Sequence, residues 1–242
     1  EKNMRITLRQ AEELGDDLVI ERHYQLGWKM QFSDYGVPVE IHTAPGKDES
    51  IAYSFSFPIA TPEDVQKLKP RTFAVDRPKS LRLKETLEDV MGDILPVRLG
   101  NYDPFVYEFD VGEYGDLGFT GNFFFGLTWQ VYRFIGNQGL LYWVYDAPQA
   151  IHQLMAYMLE DRLALFDYFE REGLLALNTD SQMAGPRSYG YVSDLPEPDS
   201  RDRVTLKDLW GWAESQEADN ISPDMYKEFV LPYLAKLSER FG

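Results

Sequence analysis

The stretch Gly173-Leu-Leu-Ala-Leu-Asn-Thr-Asp-Ser-Gln-Met-Ala-Gly185 decides the predicted fold. It is a nearly continuous apolar run that ends abruptly in Asp180-Ser181, and a long helical pattern precedes it. Such a run is typical of a short strand that is buried on both faces of a parallel sheet. Polar residues at the carboxyl end of such a strand lie where α/β enzymes keep their chemistry. The stretch therefore predicts a fold and also a place for the functional site.

Strand and helix patterns alternate along the rest of the chain. Strands are predicted at 27–33, 94–100 and 174–178, and helices at 61–69, 78–91, 127–135, 146–172 and 222–242, the last with a kink or break at Pro232. Alternation of this kind implies a parallel sheet with right-handed crossover helices. We therefore predict that residues 1–242 form a single α/β domain, with inserted loops near 101–120 and 186–215.

The composition argues against several classes of function. Among 242 residues, 40 Asp and Glu outnumber 24 Lys and Arg, which gives a net charge of −16. This charge argues against binding to nucleic acid or to anionic lipid, because both need clustered Lys and Arg. No apolar run approaches the roughly 20 residues of a membrane span. The chain has no cysteine, which excludes a thiolate zinc site within it and fits a cytoplasmic protein.

Polar residues gather at the ends of the three predicted strands: Asp34 at the first, Arg98 and Asn101 at the second, and Asp180 and Ser181 at the third. Carboxylates crowded at one mouth can differ in pKa, so that one acts as an acid and the other as a base. We therefore predict that Asp34 and Asp180 are catalytic and that the other three residues bind substrate. In the plainer alternative, the two aspartates only begin or cap turns.

Two further segments hold candidate site residues. Tyr132 lies in a short aromatic helix, and its hydroxyl needs a partner if the side chain is buried, which indicates a pocket role. Core packing is expected for its neighbours Trp129 and Phe134. Glu214 and Gln216 precede the last helix, where they could either line a ligand pocket or lie on an exposed turn. The three histidines form no pair at metal-ligand spacing, so we predict no metal site from this chain.

Several segments resemble the uroporphyrinogen decarboxylase superfamily, which includes cobalamin-linked methyltransferases. Phe32-Ser-Asp-Tyr-Gly-Val-Pro38 resembles a family segment that would place Asp34 on the catalytic aspartate. Thr128-Trp-Gln-Val-Tyr-Arg-Phe-Ile-Gly136 is similar to the segment that carries the family's pocket tyrosine, which would place Tyr132 there and make it a third catalytic residue beside Asp34 and Asp180. The ordered matches span most of residues 28–242 and include 61–68, 180–185, 221–223 and 229–233.

The resemblance implies a (β/α)8 TIM barrel of the uroporphyrinogen decarboxylase type, incomplete at both ends, with only its first part in this chain. It also implies a pocket for a tetrapyrrole or a corrinoid-linked substrate. The arginine motif that holds the decarboxylase's substrate is reduced here to the fragment Arg9-Gln-Ala-Glu12, and a polyanionic substrate suits a net charge of −16 poorly. The leading hypothesis is therefore methyl transfer from methylcobalamin to a thiol, with zinc supplied only by residues outside this chain. Uroporphyrinogen decarboxylation is second.

The expected partners are a small-molecule or corrinoid-protein substrate. An open half-barrel would expose sheet edges, which a homodimer or the rest of a longer chain would cover. Two other classes of function stay open. One is a glycosidase that uses two of the carboxylates of Asp34, Asp180 and Glu214. The other is a non-catalytic ligand-binding protein that has kept the barrel.

Overall fold

The computed structural model describes residues 2–15, 20, 22–43, 53–100, 123–179, 183–185, 188–189, 194–196 and 203–242. Within these ranges the chain has a mixed α/β fold, which confirms the coarse prediction of fold class. The predicted loop at 101–120 lies outside the described residues, and the loop at 186–215 is described only in part. None of the helices in these ranges is long and apolar enough to cross a membrane.

The longest helices lie in the middle of the chain. The α-helices are α1 Lys2–Arg9, α2 Arg77–Met91, α3 Leu127–Asp146, α4 Pro148–Glu172, α5 Pro223–Phe229 and α6 Leu231–Ser238. A π-helical turn, Gln10–Leu14, continues α1, and short 3-10 turns are formed by Pro62–Lys67, Leu206–Asp208 and Gln216–Ala218.

The strands of the described part pair two by two, and they close no barrel there. The parallel pair is β1 Tyr24–Gly27 with β6 Val97–Gly100, in the register Tyr24 to Val97. The antiparallel pairs are β2 Met30–Phe32 with β5 Phe73–Val75, β3 Ile41–Thr43 with β4 Tyr53–Phe55, and β7 Met183–Gly185 with β8 Ser188–Tyr189. The TIM-barrel type therefore stays a prediction, and the strand pairs show only a mixed α/β arrangement.

Local sequence signals explain where the helices begin and end. Asp76 caps α2 by accepting a hydrogen bond from the Lys79 backbone N–H at 2.9 Å. Helix α4 begins at Pro148 and ends at Gly173, whose φ of 66° is the left-handed conformation that glycine adopts without strain. The start predicted for this helix at residue 146 is wrong, because Asp146 is the last residue of α3 and Ala147 precedes α4 without a side-chain cap. The break predicted near Pro232 is present at Val230, between α5 and α6.

The decisive apolar stretch belongs to no strand. Leu174 and Asn178 are buried, but Leu177 is exposed, so the prediction of a strand buried on both faces at 174–178 is wrong. The Asn178 side chain instead pairs with the backbone of Trp210, accepting from its N–H and donating to its C=O at 2.9 Å each. This side-chain pairing takes the place of the backbone ladder that the sequence pattern predicts.

The core lies between α3 and α4. Val131 and Phe134 of α3 pack with Leu154, Met158 and Phe166 of α4, and all five side chains are fully buried. The extended segment 123–125 runs beside 210–212 through a parallel bridge between Phe124 and Trp212, and it brings an aromatic cluster onto α4. This packing fixes α3, whose other face carries the candidate site.

Candidate functional site

A cavity of about 580 Å³ opens beside the N-terminal half of α3. Its walls come from three parts of the chain: strand β4, helix α3 and the segment 216–220. The volume lies within the range of small-ligand pockets, and the cavity is open to solvent rather than enclosed. The residues that line it are Phe55, Trp129, Tyr132, Asn137, Gln216, Glu217, Asp219 and Asn220.

One wall of the cavity is aromatic. Trp129 and Tyr132 are three positions apart on α3, so both side chains lie on the same face of the helix. Their ring centroids are 5.7 Å apart with an interplanar angle of 27°. Phe55 meets both rings edge-on, at 5.7 Å from Trp129 and 6.1 Å from Tyr132. The three rings therefore form one aromatic cluster, in which Phe55 is buried behind the other two.

An unusual backbone supports this wall from behind. Gly136 interrupts α3 with φ 71° and ψ 175°, a conformation that is essentially restricted to glycine. Phe57 lies against Gly136 and against the Tyr132 ring at 5.6 Å, and it adopts φ 46°, which is rare for a large side chain. Because α3 is broken, the Phe134 carbonyl accepts a hydrogen bond from the Ile59 N–H at 3.0 Å. Two left-handed residues thus fix the position of Tyr132.

The opposite side of the cavity is acidic. The turn Gln216–Ala218 packs against α3, and the Glu217 carboxylate accepts a hydrogen bond from the Thr128 hydroxyl at 2.9 Å. Glu214 lies next to this turn and accepts a hydrogen bond from the Gln216 side chain at 3.4 Å. Burial raises the pKa of the Glu214 carboxyl above its ordinary value, and the negative charge of Glu217 raises it further. A carboxyl group with a raised pKa, that of Glu214, therefore lies at the edge of the cavity that Glu217 lines.

Three predicted site residues come together here. Tyr132 and Gln216 line the cavity, and Glu214 lies at its edge through its hydrogen bond to Gln216. Glu217 was not predicted as a site residue, although its spacing of three residues from Glu214 could have indicated a pair of carboxylates. Trp129 was predicted to pack in the core, but it is only half-buried and lines the cavity.

Asp34 lies elsewhere, on an exposed turn. Its Oδ1 accepts a hydrogen bond from the Gly36 N–H at 2.9 Å, which is the turn that the plainer reading of the sequence describes. The Asp34 charge also helps to raise the pKa of Tyr157 on α4, although burial and Asp161 contribute more. Asp34 is not among the residues that line the cavity.

Of the remaining predicted residues, Arg98 is the one that the structure describes. Arg98 is exposed on β6 and does not line the cavity. Asn101, Asp180 and Ser181 lie outside the described residues, so the pairing of Asp34 with Asp180 stays a prediction. Within the described ranges, no three His, Asp or Glu side chains lie close enough together to hold a metal ion.

Comparison of this chain with protein-family models, with curated proteins and with solved structures finds no match.

Proposed function

We propose that the protein is an enzyme of the uroporphyrinogen decarboxylase superfamily and that the cavity beside α3 is its substrate site. One observation carries the proposal: Tyr132, which the family resemblance selects as the pocket tyrosine, lines this cavity. The Tyr132 ring is held on three sides by Phe55, Phe57 and Trp129. A hydroxyl on a ring that is held in this way can orient a substrate with little loss of side-chain freedom.

The acidic lining favours methyl transfer over decarboxylation. Uroporphyrinogen is a polyanion, and Glu217 and Asp219 would repel its carboxylates. No Lys or Arg is among the described residues that line the cavity. A thiol acceptor carries no such charge, and a carboxylate with a raised pKa, such as Glu214, can accept its proton. The proposed reaction is therefore corrinoid-linked methylation of a thiol, with decarboxylation as its alternative.

The described residues do not by themselves fit the two cofactors that this reaction implies. A corrinoid is larger than a cavity of about 580 Å³, so the cavity suits the small substrate and leaves the corrinoid to its mouth or to a corrinoid protein. Within the described ranges no set of ligating side chains lies together, so a zinc ion would need ligands from residues outside these ranges. The roles proposed for this chain are thus to bind the substrate through Tyr132 and Gln216 and to move its proton through Glu214.

The test is a spectral titration of the intact protein with methylcobalamin and, separately, with uroporphyrinogen. Thiol methylation and release of carbon dioxide are then measured for wild type and for Tyr132→Phe. We expect activity with methylcobalamin and a kcat/KM that falls about tenfold or more in Tyr132→Phe, because one substrate hydrogen bond is lost. Absence of any spectral change with either compound would overturn both branches of the proposal.

A second candidate function is two-carboxylate hydrolysis, which the pair of Glu214 and Glu217 favours. A carboxyl whose pKa is raised can serve as a general acid while its neighbour stays ionised. The aromatic wall would then stack on a sugar ring. Hydrolysis of aryl glycosides that disappears in Glu214→Gln would support this reading, whereas an inactive wild type would rule it out.

A further inference from the structure

We propose that the cavity beside α3 recognises a small organic cation, specifically a quaternary ammonium group. This proposal rests on the assignment of the cavity as the substrate site, and it names the class of ligand that the site takes. It depends on the aromatic wall, on the carboxylates that face the same cavity, and on the sign of the charge around them.

The aromatic wall of the cavity consists of residue types that attract cations. Cations are attracted to the faces of aromatic rings within about 6 Å of the centroid, and Trp is the strongest of these partners. Trp129 and Tyr132 lie side by side on the cavity wall. The buried Arg133 guanidinium lies 5.2 Å from the centroid of Phe55, so its positive charge opposes that of a ligand cation, and the carboxylates of the cavity have to outweigh it. A ligand cation would then pack on Trp129 and Tyr132.

The acidic side of the cavity supplies negative charge near the aromatic wall. Glu217 and Asp219 carry carboxylates on the segment that faces α3, and Thr128 fixes the orientation of Glu217. Glu214 adds a third carboxyl at the edge. A quaternary ammonium group donates no hydrogen bonds, so it is bound by aromatic rings and nearby negative charge, and residues of both kinds line this cavity.

Other classes of ligand fit this lining less well. An anion would meet the carboxylates of Glu217 and Asp219 without a Lys or Arg among the described lining residues. A neutral sugar could stack on the aromatic wall and bind the amides of Asn137 and Asn220, but it would make no use of the charge. The decisive property of the ligand is therefore its positive charge rather than its shape.

The experiment compares choline with its neutral isostere, in which carbon replaces nitrogen, and with glucose. Binding to the intact protein is measured by calorimetry and by tryptophan fluorescence. We expect choline to bind about tenfold or more tightly than the isostere, because the isostere keeps the shape and loses the charge. Equal affinity for the isostere, or tighter binding of glucose, would overturn the proposal.

Variants then locate the site. Glu217→Gln removes the charge but keeps an acceptor for the Thr128 hydroxyl, so the fold is preserved while choline binds several-fold more weakly. The matched control is Glu85→Gln on the exposed face of α2, which changes the net charge equally and leaves choline affinity as in wild type. Unchanged affinity in Glu217→Gln, or an equal loss in both variants, would contradict a site at this cavity.

The outcomes separate this inference from the proposed enzyme function. Choline binding without methyl transfer or decarboxylation would keep the cation site and remove the enzyme assignment. Turnover of a thiol without measurable choline binding would keep the enzyme assignment and remove the cation site. Tyr132→Phe retains the ring, so it should lower turnover while choline affinity stays within about twofold of wild type.

Discussion

At the scale of single residues, the two carboxyl groups at the cavity are coupled. Burial is the larger cause of the raised pKa of Glu214, and the charge of Glu217 is the smaller one. Glu217→Gln should therefore lower the pKa of Glu214 but leave it above its ordinary value. The carboxyl carbons of both residues can be followed by NMR during a pH titration. Glu85→Gln is the control, and a Glu214 titration that is identical in wild type and Glu217→Gln would show that the two groups do not interact.

The raised pKa of Glu214 sets the direction in which the stability of the fold changes with pH. A carboxyl that holds its proton more tightly in the folded state stabilises that state fully below its unfolded pKa, and this stability is lost as pH rises through the folded pKa. In Glu214→Gln this contribution to the pH dependence should be absent. The assignment of Glu214 as a proton acceptor requires this titration to appear in the pH profile of activity as well.

Gly136 is the residue on which the shape of the aromatic wall depends. In Gly136→Ala the new methyl would meet the Phe57 ring at 3.3 Å, and the φ of 71° with ψ 175° would be strained. We expect a loss of about 1–3 kcal/mol in the free energy of unfolding, measured with urea. Gly173→Ala is the control, because Gly173 has a similar φ of 66° but no neighbouring atom within 4 Å. An equal or larger loss in the control would contradict the role of Phe57.

At the scale of elements, the buried pair of Arg71 and Asp161 joins the chain before β5 to α4. The guanidinium makes two hydrogen bonds to the carboxylate, at 2.7 and 2.5 Å, and it lies 4.2 Å from the Tyr35 ring centroid. Because both side chains are almost fully buried, Asp161→Asn should destabilise the fold by about 3–5 kcal/mol. The control is Asp167→Asn on the same helix, because the Asp167 carboxylate pairs with Arg240 at the surface. This variant should lose about 1 kcal/mol or less of the free energy of unfolding. Similar urea midpoints for the two variants would contradict this difference.

The segment 174–178 is held in place by side-chain hydrogen bonds rather than by a sheet: the Trp28 indole N–H donates to the Leu174 carbonyl at 3.1 Å, and Asn178 pairs with Trp210. Asn178 is fully buried and bonds both backbone groups of Trp210, so Asn178→Ala leaves the Trp210 N–H and C=O without these bonds. We expect a loss of about 1–3 kcal/mol in the free energy of unfolding. Asn220→Ala is the control, because Asn220 is exposed and its hydrogen bond joins only its neighbour Asp219. A loss in Asn178→Ala no larger than in the control would show that the pairing is not needed.

The end of α4 and the start of α5 could be predicted from the sequence because the signals that set them are local, whereas α3 runs to Asp146, beyond its predicted end at 135. Gly173 ends α4, and Ser222 caps α5 through the Met225 N–H. The partners of the extended segments could not be predicted in the same way. An apolar run such as 174–178 indicates burial, but the choice between a ladder and a side-chain pair with Trp210 depends on residues far away in the chain.

At the scale of the whole molecule, the candidate site also depends on contacts between distant parts of the chain, which local sequence patterns do not predict. Tyr132, Glu214 and Gln216 were predicted to bind a ligand, and the fold brings them to one cavity through the packing of 216–218 on α3. Nothing in the local pattern of either segment encodes that packing. The barrel type of the fold likewise depends on long-range strand pairing, which hydrophobic periodicity does not specify. Family resemblance is therefore the source of the barrel prediction, and the cavity stands independently of it.

The net charge of −16 adds a contribution from the whole molecule to binding at this cavity. A field of this sign raises the local concentration of a small cation, and salt screens it. The screening length falls from about 30 Å at 0.01 M to about 8 Å at 0.15 M ionic strength. We therefore expect the dissociation constant of choline to rise several-fold over this range, while that of the neutral isostere stays constant. Calorimetry at matched pH measures both ligands, and a choline affinity that does not depend on salt would show that the molecular charge takes no part in recognition.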